Sequence, residues 1–280
     1  MSTLAQHLHE ATATLTPVTE TPRFDAELLL AHALGWTRTQ LLTRQHEEVH
    51  VPVFDGYIQR RLRHEPIAYI LESWEFFAME FRIQPPLLVP RPETEHLVEA
   101  VVSFVGARPL SALDLCTGTG CVACAVARHA TAIEVVATDI SPIAVRLARE
   151  NAERHGLGDR IQVRQGDLYT AVPSEHRRFD VIMSNPPYVE DAAWAQLSQV
   201  IRMHEDPRAL FAGADGLDVI WRIVLSAPKF IRPGGLLAME VGMGQANRVT
   251  EMMRARGFVN LAVRKDLAGI DRIVQGCWPE

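Results

Sequence analysis

From about residue 93, the chain alternates short apolar runs with longer stretches whose apolar residues recur at helical spacing. The runs predict buried strands, and the stretches between them predict helices that cover both faces of a mostly parallel sheet. The seven predicted strands lie at residues 110–115, 133–138, 161–164, 179–184, 236–241, 259–263 and 272–275. The predicted helices lie near residues 93–105, 121–130, 142–155, 217–230 and 245–256. Only a turn-like sequence at 266–269 separates the last two strands, so we expect an antiparallel hairpin at that edge.

The first 70 residues or so have a helical pattern instead. Thr21, Pro22 and Gly35 are the residue types expected at the start and just past the end of a helix. Its predicted apolar face consists of Phe24, Leu28, Ala31 and Leu34. Two further helices are predicted at about residues 37–48 and 53–62. Together these helices form a small bundle that is too short to be an enzyme by itself.

The segment between the two patterns favours neither helix nor a long strand. Residues 74–83 are rich in aromatic and β-favouring side chains, which predicts a hairpin turning at Ala78-Met79. The proline-rich residues 84–92 cannot continue a helix or a strand. We therefore predict a helical domain at residues 1–73, a hairpin and proline-rich linker at 74–92, and an α/β domain at 93–280.

Composition narrows the class of protein. The chain has 280 residues, of which 48% are hydrophobic, and a formal net charge of −6. That charge disfavours direct binding to nucleic acid. The sequence contains no run of about 18 apolar residues and no N-terminal signal sequence, so no membrane association is expected. The four cysteines are too few for a disulfide framework in a chain of this length, and we expect a cytoplasmic protein.

Polar residues and glycines follow the first three predicted strands. The first strand runs into Cys116-Thr117-Gly118-Thr119-Gly120, where glycines permit a tight turn and close approach of a ligand to the backbone. Asp139 ends the second strand at the spacing of an acid that binds ribose hydroxyls. Asp167, after the third strand, is placed to accept a hydrogen bond from an adenine amine. A third glycine is missing from the first loop, so a nucleoside without phosphates fits better than NAD.

The fourth strand ends in Asn185-Pro186-Pro187-Tyr188. The Asn185 side-chain oxygen and the Pro186 carbonyl are two adjacent acceptors, which can hold both hydrogens of a planar amino group. Tyr188 offers a flat apolar face on which that group can stack. This segment therefore predicts an acceptor site for a planar –NH2 group.

Together, the loop at residues 116–120, Asp139, Asp167 and the segment 185–188 resemble the motifs of the class I S-adenosylmethionine-dependent methyltransferases, which have a Rossmann-like sheet. Further motifs are similar to the peptide chain release factor glutamine methyltransferase family (PrmC, formerly HemK), and they lie at residues 65–70, 90–95, 205–210, 215–217 and 265–272. The resemblance implies methylation of the glutamine in the Gly-Gly-Gln loop of release factors, with S-adenosylmethionine as the methyl donor. We further predict that the helical domain at residues 1–73 recognises the substrate, because a Gly-Gly-Gln loop offers too few side chains to be selected by itself.

The resemblance assigns two sets of site residues. The catalytic set is Asn185, Pro186, Pro187 and Tyr188, and the cofactor-binding set is Cys116, Thr117, Gly118, Thr119, Gly120, Asp139, Asp167, Leu168 and Asn185. The chain departs from the family's usual glycine at two positions, Cys116 and Glu72. A side chain at position 116 is tolerable if its φ is negative.

Three other functions remain open from the sequence. A ribosomal protein glutamine methyltransferase would use the same chemistry, and a DNA adenine methyltransferase would also hold a planar –NH2 group but needs a basic face. A noncatalytic cofactor-binding scaffold is disfavoured by the intact residues 185–188. Cys121 and Cys124 have no second pair at ligand spacing, so we expect core packing and no metal site.

Overall fold

The computed structural model describes residues 2–172 and 178–280, and the chain forms two compact units. The first unit comprises Met1–Ser73 and Leu197–Glu205, and the second comprises Trp74–Gln196 and Asp206–Glu280. Residues 197–205 fall within the predicted 93–280 part of the chain but belong to the first unit. No helix among the described residues is long and apolar enough to cross a membrane.

The elements are numbered along the chain. The helices are α1 (Leu4–Leu15), α2 (Pro22–Leu34), α3 (Arg38–Thr43), α4 (Pro52–Leu62), α5 (Ile67–Leu71), α6 (Glu95–Val105), α7 (Cys121–His129), α8 (Pro142–Arg154), α9 (Gln199–His204), α10 (Asp218–Ser226) and α11 (Ala246–Arg256). The strands are β1 (Ser2–Thr3), β2 (Glu48–Val49), β3 (Ser73–Phe76), β4 (Met79–Arg82), β5 (Ser111–Leu115), β6 (Glu134–Asp139), β7 (Ile161–Gln165), β8 (Phe179–Ser184), β9 (Ile231–Glu240), β10 (Val259–Lys265) and β11 (Asp271–Cys277).

The first unit is a helical bundle whose apolar core is contributed mainly by α1, α2 and α4. The predicted apolar face of α2 is wrong. Only Ala31 of the four predicted residues is buried, and Phe24 is 43% exposed. The buried face instead includes the acidic residues Asp25 and Glu27 beside its apolar residues. These carboxylates can be buried because basic side chains neutralise them. Arg61 pairs with Asp25 at 2.8 Å, and Arg38 pairs with Glu27 at 2.7 Å.

Two details of the helix boundaries also differ from the predictions. The Thr21 hydroxyl makes no capping bond to the backbone and donates to Asp25 Oδ1 at 2.9 Å instead. The helix predicted at 37–48 ends at Thr43, since residues 48–49 pair as β2 with β1. In the first case the Asp25 carboxylate competes with the backbone for the Thr21 hydroxyl. In the second case residues 48–49 pair with a strand that is distant in sequence.

The second unit is built on a seven-stranded sheet with the order β10-β11-β9-β8-β5-β6-β7. The five strands from β9 to β7 are parallel, and β11 is antiparallel to both β9 and β10. This sheet, with helices packed against it, confirms the predicted α/β class and the antiparallel C-terminal hairpin. The β3–β4 hairpin is also present, although it turns at Phe77 and Ala78, one residue earlier than predicted.

Register places the loops that carry the predicted site residues at one edge of the sheet. Leu115, the last residue of β5, pairs with Thr138 of β6 on one side and with Ser184 of β8 on the other. Asp139, at the end of β6, pairs with Gln165 of β7. Because these strands are parallel and end at the same level, the loops that follow them converge on one crevice.

Gly120 connects the loop after β5 to α7 and packs closely against Ala148 of α8. A Cβ at this position would lie 2.9 Å from the Ala148 Cβ on α8, and its φ is +79°. We expect Gly120→Ala to cost about 1–2 kcal/mol for the left-handed backbone and about 1–3 kcal/mol more for overpacking. Gly156→Ala is the matched control, because Gly156 has φ +67° and a Cβ built there would meet no neighbouring atom within 4 Å. Urea unfolding of both variants measures the difference, and equal losses of stability would contradict the packing argument.

Candidate active site

The convergent loops of the second unit enclose a cavity of about 300 Å³. Seven of the predicted site residues line it, namely Cys116, Gly118, Asp139, Asp167, Leu168, Asn185 and Pro187. The other predicted residues, Thr117, Thr119, Gly120, Pro186 and Tyr188, do not belong to its lining. The sequence-based set therefore divides into residues that line this cavity and residues that do not.

The loop after β5 turns through left-handed backbone conformations. Cys116 has φ +60° and Gly118 has φ +56°. A negative φ, the condition given above for tolerating a side chain at position 116, is therefore not met, because the chain must reverse at this point to leave the strand. A side chain in this conformation costs about 1 kcal/mol. Burial raises the pKa of the Cys116 thiol well above its ordinary value, so the residue acts here as a small neutral side chain.

Residues behind the cavity hold this loop in place. The Thr117 hydroxyl donates to Asp114 Oδ2 at 2.6 Å, and Asn151 Nδ2 donates to the Thr119 carbonyl at 2.9 Å. Burial raises the pKa of Asp114 to about 7, although the Thr117 hydroxyl opposes that shift. Thr117, Thr119 and Gly120 thus brace the loop and the start of α7.

Asp139 lines the cavity with a carboxylate that the backbone fixes in place. Its Oδ2 accepts from the Gly118 N–H and its Oδ1 from the Ser141 N–H, both at 2.9 Å. Burial raises its pKa above the usual aspartate value, against these backbone bonds. The neighbouring Thr138 Oγ1 is buried without a hydrogen-bond partner in the part of the chain that is described. This combination of a fixed acceptor and a buried hydroxyl suits a ligand rich in hydroxyl groups.

Asp167 and Leu168 form another part of the cavity wall. Arg222 of α10 pairs with Asp167 Oδ2 at 2.5 Å, and both residues line the cavity. Arg222 thereby fixes the carboxylate, while Oδ1 remains the oxygen toward which a ligand amine can donate. Leu168 is 7% exposed and adopts φ +50°.

The Asn185 amide is oriented by a residue that the sequence analysis did not assign to the site. Its Nδ2 donates to the buried Thr94 hydroxyl oxygen at 3.1 Å. Since Nδ2 is directed at Thr94, Oδ1 is the end of the amide that can accept a hydrogen bond from a ligand. Pro186 is buried directly after it, and its ring carries no N–H that could compete.

Tyr188 is held at both its backbone and its hydroxyl. Its carbonyl accepts from Gln245 Nε2 at 2.9 Å, and its hydroxyl donates to Glu240 Oε1 at 3.0 Å. Burial and the adjacent Glu240 carboxyl raise the pKa of Tyr188 well above its ordinary value, so the hydroxyl remains a donor. The ring therefore has a fixed orientation beside Asn185 in the chain.

Several residues of the site were missed by the sequence analysis. Glu240 is a lone acid at the end of an apolar strand, a signal that could have identified it. Thr94 lies in the motif at residues 90–95, but no role was assigned to it. Other missed residues that line the cavity include Leu87 and Leu88 of the proline-rich segment, Asp206 and Arg208 of the 205–210 segment, and Thr138 and Arg222 outside both.

The described residues contain no group of three or more metal-ligating side chains. Cys121 and Cys124 lie buried in α7, and both are free cysteines. Burial raises the pKa of Cys121 to about 12, so a reactive thiolate is disfavoured at neutral pH.

Comparison with known proteins gives matches over most of the chain. Residues 6–71 match the model of the PrmC N-terminal domain, and residues 94–213 match that of the methyltransferase small domain. A release factor glutamine methyltransferase of Clostridium acetobutylicum is 36% identical over 254 residues, covering 89% of each chain. The Neisseria gonorrhoeae enzyme of the same name is 40% identical over 259 residues, covering 91% of this chain and 93% of that one.

Solved structures share the fold at low sequence identity. The hMettl16 catalytic domain superposes with a TM-score of 0.59 at 16% identity, covering 83% of this chain and 85% of that one. A T. thermophilus 16S rRNA methyltransferase in complex with AdoMet superposes with a TM-score of 0.56 at 20% identity, covering 74% of this chain and 49% of that one. These likenesses concern the architecture alone.

Asp139→Ala should weaken S-adenosylmethionine binding. The substitution removes an acceptor for ligand hydroxyls and also releases the Gly118 and Ser141 N–H groups. A loss of about 1–3 kcal/mol corresponds to a dissociation constant raised roughly 5- to 150-fold. Titration calorimetry measures it. Asp180→Ala is the control, because Asp180 is a half-buried carboxylate near the start of β8, away from the cavity. Unchanged affinity in Asp139→Ala would remove this residue from the binding site.

Proposed function

The chain belongs to the family of release factor glutamine methyltransferases, and we propose that it methylates the glutamine side-chain amide in the Gly-Gly-Gln motif of peptide chain release factors. The observation that carries this proposal is the Asn185 amide, which Thr94 fixes at the wall of the cavity with its oxygen available as an acceptor. The methyl donor is S-adenosylmethionine.

The residues around the cavity fit this donor. Asp139 would provide a polar partner for ribose, as would the Thr138 hydroxyl, which has no hydrogen-bond partner among the described residues. Asp167 would offer an acceptor for the adenine amine. Gly118 would admit the donor close to the backbone, since no atom lies within 4 Å of a Cβ built there. When bound, S-adenosylmethionine supplies a methyl group already activated by its positively charged sulfur.

The protein's contribution is to position a weak nucleophile. A carboxamide nitrogen reacts poorly because its lone pair is delocalised into the carbonyl. Asn185 Oδ1 and the Pro186 carbonyl would accept its two N–H hydrogens, while the Tyr188 ring would stack on its plane. Such positioning can supply up to about 7–11 kcal/mol of a barrier. The acceptors also favour positive charge that develops on nitrogen, and the excess proton then leaves to water.

The release factor is favoured over the other acceptors on two grounds. The relatives that resemble this chain over most of its length carry the release factor name. The net charge of −6 disfavours a DNA substrate and direct binding to nucleic acid in general. A ribosomal protein glutamine would need the same amide geometry and is the second acceptor to test. We also place this reaction in the cytoplasm.

The wild-type protein should transfer tritium from labelled S-adenosylmethionine to purified release factor, and mass spectrometry should locate the methyl group on the Gly-Gly-Gln glutamine. Asn185→Ala should abolish transfer because the acceptor amide loses its partner, while the affinity for S-adenosylmethionine should change only a few-fold. Asn247→Ala, on the exposed surface of α11, is the matched control and should retain activity. Transfer to a ribosomal protein or DNA in preference to release factor would refute the proposed substrate.

We further propose that the first unit recognises the folded release factor. Two residues of a Gly-Gly-Gln loop offer only backbone, so the tripeptide cannot distinguish its protein from many others. A specific protein interface buries about 1,200–2,000 Å² in total, far more than a tripeptide can supply. The helical bundle is not needed to build the cofactor cavity, whose lining residues all belong to the second unit.

Hydrogen–deuterium exchange of the full-length protein tests this role. Adding intact release factor, with S-adenosylhomocysteine present, should slow exchange of amides within residues 2–73. A short Gly-Gly-Gln peptide should slow exchange only in the second unit. If intact release factor protects no more of residues 2–73 than the peptide does, recognition does not involve the helical bundle.

A further inference from the structure

A buried carboxyl lies behind the two side chains assigned to the acceptor site. Glu240 is the last residue of β9 and is fully buried. Its Oε1 accepts from the Tyr188 hydroxyl at 3.0 Å, while its Oε2 has no hydrogen-bond partner in the described residues. The Thr94 hydroxyl is close enough to favour the charged form of this carboxyl. Glu240 is absent from the lining of the cavity, so it is not placed to touch a ligand there.

Thr94 connects this carboxyl to Asn185. The Thr94 oxygen accepts from Asn185 Nδ2 at 3.1 Å, and a hydroxyl that accepts there can still donate its own proton elsewhere. An ionised carboxylate can only accept hydrogen bonds. The Tyr188 hydroxyl therefore donates to Glu240, and the Thr94 hydroxyl, whose oxygen accepts from Asn185, can direct its proton toward the same carboxylate.

On these contacts, and resting on the proposed function, we propose that Glu240 is a positioning residue for methyl transfer. Its carboxylate fixes the directions of the Tyr188 and Thr94 hydroxyls, and through Thr94 it fixes the Asn185 amide with Oδ1 toward the substrate. A neutral group at position 240 could donate to Thr94 instead. Thr94 could then donate to Asn185, whose amide would rotate and present N–H groups to the substrate N–H groups.

Charge around Glu240 makes this arrangement sensitive to pH. The charged and titratable groups that act on it are Tyr188 after β8, Glu93 before α6 and Arg272 of β11, which is itself paired with Asp266 at 3.0 Å. Burial raises the pKa of Glu240 to about 7, and Glu93 raises it further, while Thr94, Tyr188 and Arg272 lower it. Below that pH the carboxyl gains a proton and can donate, so the orientation of Asn185 is lost as pH falls.

Glu240→Gln in the full-length protein is the direct test, with purified release factor and labelled S-adenosylmethionine. We expect kcat to fall roughly 10- to 100-fold, by analogy with the loss seen when a residue that orients a metal ligand is removed. The dissociation constant for S-adenosylmethionine should stay within about twofold, because the cavity lining is unchanged. The wild-type kcat should decline from about pH 8 to about pH 6, whereas the variant should show no such decline.

Further variants separate orientation from a loss of folding. Thr94→Val should lower kcat as Glu240→Gln does, and Thr94→Ser, which keeps the hydroxyl, should restore most of it. The double variant Thr94→Val/Glu240→Gln should lose less than the product of the single losses, because both act through one path. Asp180→Asn, which alters a carboxylate near the other end of β8, should leave kcat unchanged.

The outcomes distinguish a failure of the proposed role of Glu240 from a failure of the proposed substrate. If the wild-type protein methylates a different amide-bearing acceptor, the substrate assignment fails, and the same comparison of variants is made on that acceptor. If Glu240→Gln keeps the wild-type kcat and pH profile, or if Thr94→Ser is as inactive as Thr94→Val, Glu240 does not position the acceptor site and the inference is overturned.

Discussion

The parallel register of β5, β6, β7 and β8 is the constraint on which the site depends. These strands end at one level, so each loop that leaves them must turn within a few residues and must do so beside its neighbours. The left-handed residues Cys116 and Gly118 make the first of these turns. Asp139, at the end of the adjacent strand, then binds the Gly118 N–H and holds the turn against β6. The cavity proposed to hold the cofactor is thus a consequence of how the sheet ends.

Buried carboxyls hold this edge at a cost in stability. Burial raises the pKa values of Asp114 and Glu240 to about 7, above those of the unfolded chain. Because the folded pKa is the higher one, each group stabilises the fold most at low pH, and that contribution is lost as pH rises through about 7. Apolar residues would avoid this cost. Carboxylates remain useful here because they force adjacent hydroxyls to donate, as Thr117 does to Asp114 and Tyr188 to Glu240.

Local sequence patterns predicted the sheet well and the polar contacts poorly, for a physical reason. The apolar runs of a parallel sheet are buried on both faces, so strands such as β5 and β8 are evident without tertiary information. The α2 helix shows the opposite case. Asp25 is neutralised by Arg61 of α4, and Glu27 is neutralised by Arg38 of α3 as well as by Arg23, one turn earlier in α2.

The proposed acceptor site also depends on contacts that local sequence patterns do not reveal. Asn185 could be identified from its own neighbours, while its partner Thr94 lies 91 positions away in sequence. Glu240 is visible as a lone acid at the end of an apolar strand, but its bond to Tyr188 spans 52 positions. Spacing along the chain identifies which groups have suitable chemistry. Only the fold determines which hydroxyl faces which carboxylate.

At two positions, Cys116 and Glu72, the chain has a side chain where the family usually has glycine. Here too, tertiary contacts act against the local conformational preference. Cys116 and Glu72 both have positive φ, at +60° and +56°, so both stand where glycine is the least strained residue. Each side chain has a compensating interaction that glycine could not make. Cys116 packs against the buried core of the sheet, and Glu72 adds a smaller attraction to Arg60, whose pKa is raised mainly by its hydrogen bonds to Glu65. The left-handed turn at each position is therefore imposed by the fold, and a cost of about 1 kcal/mol per residue is small enough for such contacts to offset.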